Sequence, residues 1–315
     1  MPANLPPKSA RVRVWVADLS LAAVTLIWGV TFPVVQGALA GASPLTFNAV
    51  RMTLAGALLA LLYRPRWRRL SRVTWWVGAL LGFLLATGYG FQTTGLALTS
   101  ASVSAFLTSM SVVLVPLLLA LGWRRRIETC AWLGAGVAAV GIYLLVVAGR
   151  HSGAAASSLA GRGDALTLLC AVAFALHIIT LGEWAPKLGY RDLAVMQIVF
   201  AAVFTWLFLP VVEVPRWHSS PRLWLALAVT SVLATAVAFS VQSWAQQFTP
   251  STHTAVVFAL EPVFAWMAAA WGWHQHLEPV QVAGALLILA AMAVVEIGKA
   301  GVNGTRGNAG TAGGL

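Results

Sequence analysis

The sequence predicts an all-α integral membrane protein in which ten transmembrane helices form two inverted five-helix repeats around a central cavity. Three observations carry that expectation: 59% of the 315 residues are hydrophobic and only 9% charged, ten apolar stretches recur at membrane-crossing length, and the second half repeats part of the first at a fixed offset.

Composition excludes most alternatives. A soluble domain carries about a quarter of its residues charged, and the surface of a water-soluble protein of this length would need charges that this chain lacks. The formal charge of +11 does not point to nucleic acid, because Lys and Arg lie in short runs between apolar stretches rather than along one face. Cys130 and Cys170 both fall inside apolar stretches and read as packing residues. Neither a disulfide framework nor a metal site is expected, and no cofactor is called for.

A helix needs about 20 apolar residues to cross about 30 Å of hydrocarbon. Such stretches fall near 16–37, 44–63, 74–94, 101–123, 127–148, 164–184, 191–212, 222–243, 251–273 and 279–298. They divide the chain into a cytoplasmic N-terminal segment (1–15), a first repeat (16–148), an extracytoplasmic linker (149–163), a second repeat (164–298) and a cytoplasmic tail (299–315). The first span lacks a small-residue cleavage site and is expected to be retained. The Gly-, Ala- and Thr-rich tail buries too little to repay ordering and is expected to be disordered.

With a cytoplasmic N-terminus, 15 of the 20 Lys and Arg fall on the cytoplasmic side, and four fall outside: Arg150, Arg162, Arg216 and Arg222. Loops rich in Lys and Arg resist translocation. Both termini are therefore expected in the cytoplasm, with the protein in the cell inner (plasma) membrane.

A shift of 150 residues aligns spans three to five with spans eight to ten without gaps: Gln92 meets Gln242, Thr99 meets Thr249, Gly122-Trp123 meets Gly272-Trp273, and Glu128 meets Glu278. Apolar matches alone would arise by chance from a small alphabet, but paired Gln, Gly-Trp and Glu at one offset point to duplication. A five-span repeat is odd, so the second copy must enter the bilayer from the opposite side, the inverted-topology design of secondary transporters. The charges agree, since Arg124-Arg125-Arg126 becomes His274-Gln275-His276 when the segment is turned over. A central site near the bilayer midplane and alternating access follow from that design.

Charged groups at bilayer depth cost on the order of 2.5–3.5 kcal/mol each, so they tend to face a cavity or a partner. Glu261, near the middle of span nine, can bind a substrate ammonium or take up a coupling proton, or else serve structure by accepting hydrogen bonds beside Pro262. Arg51 in span two can meet a carboxylate, snorkel to the interface or pair with a helix C-terminus. His177 in span six can relay protons or act as a hydrogen-bonded packing residue. Ser104, Thr108 and Ser111 recur at i, i+4 and i+7 on span four, and the offset places Thr254, Phe258 and Glu261 on the matching stripe of span nine. Two such stripes near midplane suit a shared cavity, although hydroxyls also bond neighbouring helices. Trp28, Tyr89 and Trp244 can supply aromatic walls. Many of the 15 Trp must instead anchor span ends, and Gln92 and Gln242 can be helix caps.

Several segments together resemble the drug/metabolite transporter superfamily, in its ten-span EamA-type branch. Trp28-Gly29-Val30-Thr31-Phe32 is similar to the Trp-Gly segment of that family's first span, Pro44 followed by Arg51 to its second, and Leu133-Gly134-Ala135-Gly136 to its fifth-span glycines. Leu260-Glu261-Pro262-Val263-Phe264 matches the Glu-Pro motif of its ninth span and is the most specific likeness. The chain departs from the pattern at Arg125 and Gln275, where the family has an acidic residue, and at Pro116, where the family's proline lies nearer Val112. The resemblance implies export of amino acids, other metabolites or cationic drugs, and amino acids of broad specificity, neutral and aromatic included, are the expected cargo. The bilayer is a further partner, protons are a candidate coupling ion, and a monomer is expected.

Rival readings find less support. No H-E-x-x-H or G-x-S-x-G occurs, and the only Asp residues, Asp18, Asp164 and Asp192, lie at span ends, so an intramembrane enzyme has no clustered chemistry to use. Sugar phosphates or nucleotide-sugars would want several Lys or Arg at depth, and Arg51 stands alone.

Overall fold

The computed structural model describes residues 8–65, 67–99, 101–146, 161–273 and 279–309. The linker from 147 to 160, the segment 274–278 with its two histidines, and the last residues from 310 lie outside the described residues. Among those described, the fold is helical, and the sole bridge pairs Ala42 with Trp217 where two loops meet.

The first repeat contains α1 (Lys8–Ala38), α2 (Pro44–Tyr63), α3 (Arg72–Leu96), α4 (Ala101–Ser109), α5 (Ser111–Leu121) and α6 (Thr129–Val146). The second contains α7 (Arg162–Trp184), α8 (Tyr190–Val212), α9 (Pro221–Ser231), α10 (Ala238–Ala245), α11 (Ser251–Phe258), α12 (Glu261–Trp273) and α13 (Pro279–Ala309). Seven segments are long and apolar enough to cross a membrane, one of them, Val103–Leu121, running from α4 into α5. Shorter apolar stretches in α6 and α13 and the broken pair α11–α12 complete the ten spans.

Local chemistry sets the helix starts. Pro44 and Pro221 occupy first-turn positions, where a missing N–H costs nothing. The hydroxyls of Ser71 and Ser220 accept from the backbone N–H groups of Thr74 and Leu223, capping α3 and α9. Arg64 closes α2 in the left-handed region, at φ 44°.

One expectation changes. Spans four and nine are not continuous helices: each breaks, at Met110 and at Ala259–Leu260, and the offset of 150 that aligns the halves superposes Ser111 on Glu261 as the first residue after each break. Pro262 explains one break, because it donates no N–H and its ring excludes the carbonyl of Phe258. The backbone tightens at both breaks, with Met110 bonding Leu107 in the first repeat and Leu260 bonding Val257 in the second. α13 continues to Ala309, and a helix nucleated in the apolar span extends at little cost per residue.

Packing follows a pseudo-twofold. The self-related contacts are α2 with α8 and α6 with α13, and α3 against α7 is matched by α10 against α1. The broken spans cross one another, α4 against α12 and α5 against α11. Small residues permit these approaches. A methyl group at Gly141 of α6 would sit 2.7 Å from the Gly284 carbonyl oxygen of α13, and one at Gly29 of α1 would sit 2.7 Å from that of Glu261.

Candidate functional site

Where the broken spans cross, the two repeats enclose a cavity with ≈ 710 Å³ of empty space, its mouth included. Its wall takes Trp28, Thr31, Phe32 and Val35 from α1, Arg51 from α2, and Leu85, Tyr89, Gln92, Thr93 and Leu96 from α3. Thr108 and Ser111 come from the two sides of one break, Phe258 and Glu261 from the two sides of the other, and Phe174, His177, Ile178, Phe239 and Gln242 from α7 and α10.

The expected stripes behave alike in both halves. Thr108 and Ser111 reach the cavity while Ser104 does not; Phe258 and Glu261 reach it while Thr254 does not. The hydroxyl oxygens of Ser104 and Thr254 are buried without a hydrogen-bond partner among the described residues. Trp244 also lies off the wall and packs edge-on against Phe248, centroids 5.4 Å apart.

Five aromatic rings form one connected surface. Trp28 stands edge-on to Phe258 at 5.0 Å and tilted to Phe239 at 5.5 Å; Tyr89 stands edge-on to Phe174 at 5.2 Å and to Phe239 at 6.1 Å. Such pairs add about 0.5–1.5 kcal/mol each beyond area burial and hold the rings in fixed planes. Sequence reasoning named Trp28, Tyr89 and Phe258 but missed Phe174 and Phe239. Each lies one helical turn before a polar residue on the same wall, His177 and Gln242, and that i, i+3 spacing was the available signal.

Two lining residues carry charge. Arg51 is only 3% exposed, so it does not snorkel. Its Nε donates to Thr235 Oγ1 at 2.8 Å, its Nη2 to the Ala234 carbonyl at 3.3 Å, and its Cζ lies 4.5 Å from the Tyr89 ring centroid. Glu261 begins α12, where the positive end of the helix offsets part of the cost of burying a carboxylate. Among the described residues the carboxylate accepts no hydrogen bond and forms no ion pair, with Arg51 or any other base. The arrangement is an aromatic chamber whose wall carries one guanidinium and one carboxyl group that form no ion pair with each other.

Polar neighbours complete it. His177 is buried, with Nε2 2.8 Å from Gln197 Oε1; Gln197 Nε2 donates to Ser243 at 2.9 Å, and Ser243 donates to the Phe239 carbonyl at 2.6 Å. Because that chain ends on a backbone carbonyl, His177 Nε2 is its donor. Gln92 and Gln242, read as caps from their nearness to span ends, both line the cavity. Gln92 donates to Thr108 at 3.3 Å and Gln242 to Gln246 at 3.0 Å, while Gln242 Oε1 is buried with no partner among the described residues.

Comparison with known proteins gives a consistent picture. The model of the EamA-like transporter family matches residues 15–147 and again 161–297. An uncharacterized transporter of Archaeoglobus fulgidus is 35% identical over 281 residues, covering 89% of this chain and 86% of its own. The uncharacterized transporter YvbV of Bacillus subtilis is 27% identical over 294 residues, covering 88% and 90%. A solved structure titled only as the crystal structure of a protein superposes with a TM-score of 0.72 over 89% of this chain and 96% of that one, at 17% identity, which speaks to the fold alone.

Proposed function

Because the chain belongs to the EamA-like transporter family, and is therefore a multi-pass membrane transporter, we propose that its cargo is the zwitterionic amino acid, neutral and aromatic members included, carried out of the cell by alternating access. The observation that carries this reading is the placement of Arg51 and Glu261, unpaired with each other, on the wall of one aromatic cavity built by both repeats. An amino acid brings a carboxylate for the guanidinium and an ammonium for the carboxylate, so each buried charge gains the partner it lacks. The rings of Trp28, Phe239 and Phe258 then offer an apolar, adaptable surface to the side chain.

A monocarboxylate would leave Glu261 unanswered and an amine would leave Arg51 unanswered. A sugar phosphate would bring about two negative charges to a wall with one cation. The split of 15 basic residues to four supports cytoplasmic termini and residence in the plasma membrane. We assign Glu261 as the group that alternates between substrate ammonium and a coupling proton, in a protein that works as a monomer.

The test is exchange in proteoliposomes. Purified protein should exchange labelled neutral and aromatic amino acids in preference to their deaminated acids and decarboxylated amines. A panel in which only sugar phosphates move would overturn the assignment.

A further inference from the structure

A continuous membrane helix satisfies its own backbone, so a span that offers carbonyl oxygens sideways is equipped to hold something. Between α9 and α10 the backbone widens into a π turn, Val232–Val237, and the Thr235 hydroxyl donates back to the Thr230 carbonyl at 2.8 Å. Two side chains of the other repeat dock there. Trp28 Nε1 donates to the Ala234 carbonyl at 2.9 Å, and Arg51 bonds both that carbonyl and Thr235. In the first repeat the same stretch lies inside unbroken α3, with Leu85 in the place of Thr235. The widened turn is thus not required by the repeat; among the described residues it occurs where a cation is held, and such turns often mark functional positions.

We infer that Thr235 is the positioning residue that aims Arg51 at the carboxylate of the cargo. The inference rests on reading the cavity as an amino-acid site. A guanidinium presents five N–H donors in a planar fork. Thr235 and Ala234 engage one on Nε and one on Nη2, and Tyr89 also bonds the guanidinium, which leaves the remaining N–H groups for a carboxylate. The Tyr89 ring below the guanidinium restrains its plane. Thr235 itself is fully buried and off the cavity wall, so its influence on cargo passes through Arg51. The hydroxyl is suited to this place because it accepts from Nε while donating to Thr230, which fixes the direction of both bonds.

Initial uptake rates in proteoliposomes separate this role from a merely structural one. They would be measured for an amino acid and for its decarboxylated amine, with wild type, Thr235→Val and Thr235→Ser. Thr235→Val keeps the shape and removes the oxygen; it should raise KM for the amino acid about tenfold, with Vmax within about twofold and KM for the amine unchanged. Thr235→Ser should stay within about twofold of wild type, and in an Arg51→Lys background Thr235→Val should add less than about twofold. Should Thr235→Val not fold, Thr235→Cys, a weaker acceptor of similar size, takes its place with the same expected split. An unchanged amino-acid KM, or an equal rise for the amine, overturns the positioning role. Wild type that moves no amino acid sinks the cargo reading and this inference with it, whereas active wild type beside an indifferent Thr235→Val sinks the inference alone.

Discussion

Thr249, in the loop between α10 and α11, donates a 2.9 Å hydrogen bond to Asp18 of α1, and the duplication repeats the arrangement at the other face, where Thr99 donates at 2.9 Å to Asp164 of α7. The equivalence is sound, because Asp18 precedes Trp28 by the same ten residues that separate Asp164 from Phe174, and both aromatics line the cavity. Each bond ties the first helix of one repeat to the loop after the third span of the other. One of the two is reinforced: His253 Nε2 lies 3.2 Å from the Asp18 carboxylate, and the residue matching His253 in the first repeat is Val103.

Loosening the ties one at a time should open the cavity to opposite sides. A single cysteine at Gln92, in a background lacking Cys130 and Cys170, would report access to impermeant thiol reagents. Thr249→Val removes a bond to a charged acceptor, of the class that contributes about 1.5–3 kcal/mol, and should raise labelling only from the face that carries Arg125. Thr99→Val should raise it only from the other. Labelling that rises from one and the same side in both variants would mean that the ties do not act as alternating closures.

Glu261→Gln separates function from stability. Burying a charge without a partner costs free energy, and no hydrogen bond of the carboxylate is lost among the described residues. The variant should therefore unfold at a temperature no lower than wild type while transport falls by at least about tenfold, the loss expected when a charge-assisted contact to substrate disappears. Uptake with and without an imposed pH gradient completes the test. Loss of the gradient response in the variant alone supports proton exchange at this position, and an unchanged response removes it.

His177 should behave differently. Its Nε2 donates into the chain through Gln197 and Ser243, which ends on the Phe239 carbonyl, a group that takes no proton onward. His177→Gln is expected to retain the response to a pH gradient. Gln197→Leu strands two buried partners, each at about 1–3 kcal/mol, and should lower the unfolding midpoint without shifting the preference for zwitterions over amines. A gradient response abolished by His177→Gln would restore the relay.

The spans, the duplication and Glu261 were legible in the sequence because each is a property of local composition or of one fixed offset. The breaks at Met110 and Leu260 were not, since hydropathy is blind to a tightened turn inside an apolar run, and only Pro262 marked one of them. Arg51 looked free to snorkel because its partners, Ala234 and Thr235, lie more than 180 residues away and are exposed by a π turn that leaves no trace in residue type. Gln92 and Gln242 resembled caps because apolar stretches were taken to end near them, whereas α3 and α10 run on to Leu96 and Ala245 and place both glutamines on the cavity wall.

Glycines on α1 give the sharpest test of the crossing that seats Glu261. At Gly29 a methyl group would meet the Glu261 carbonyl oxygen at 2.7 Å and the Phe264 Cβ at 2.9 Å, contacts that force α1 and α12 apart. Gly29→Ala should therefore destabilise by roughly 1–3 kcal/mol, as overpacking does, and should depress transport by displacing the carboxylate. At Gly37 of the same helix a methyl group would find nothing within 4 Å, so Gly37→Ala should be neutral or stabilise by about 0.5–1 kcal/mol through helix propensity. Thermal unfolding of the two variants in detergent, read beside uptake, distinguishes close packing at one position from a general intolerance of substitution in α1: equal losses at both glycines would rule out the close α1–α12 approach as the cause.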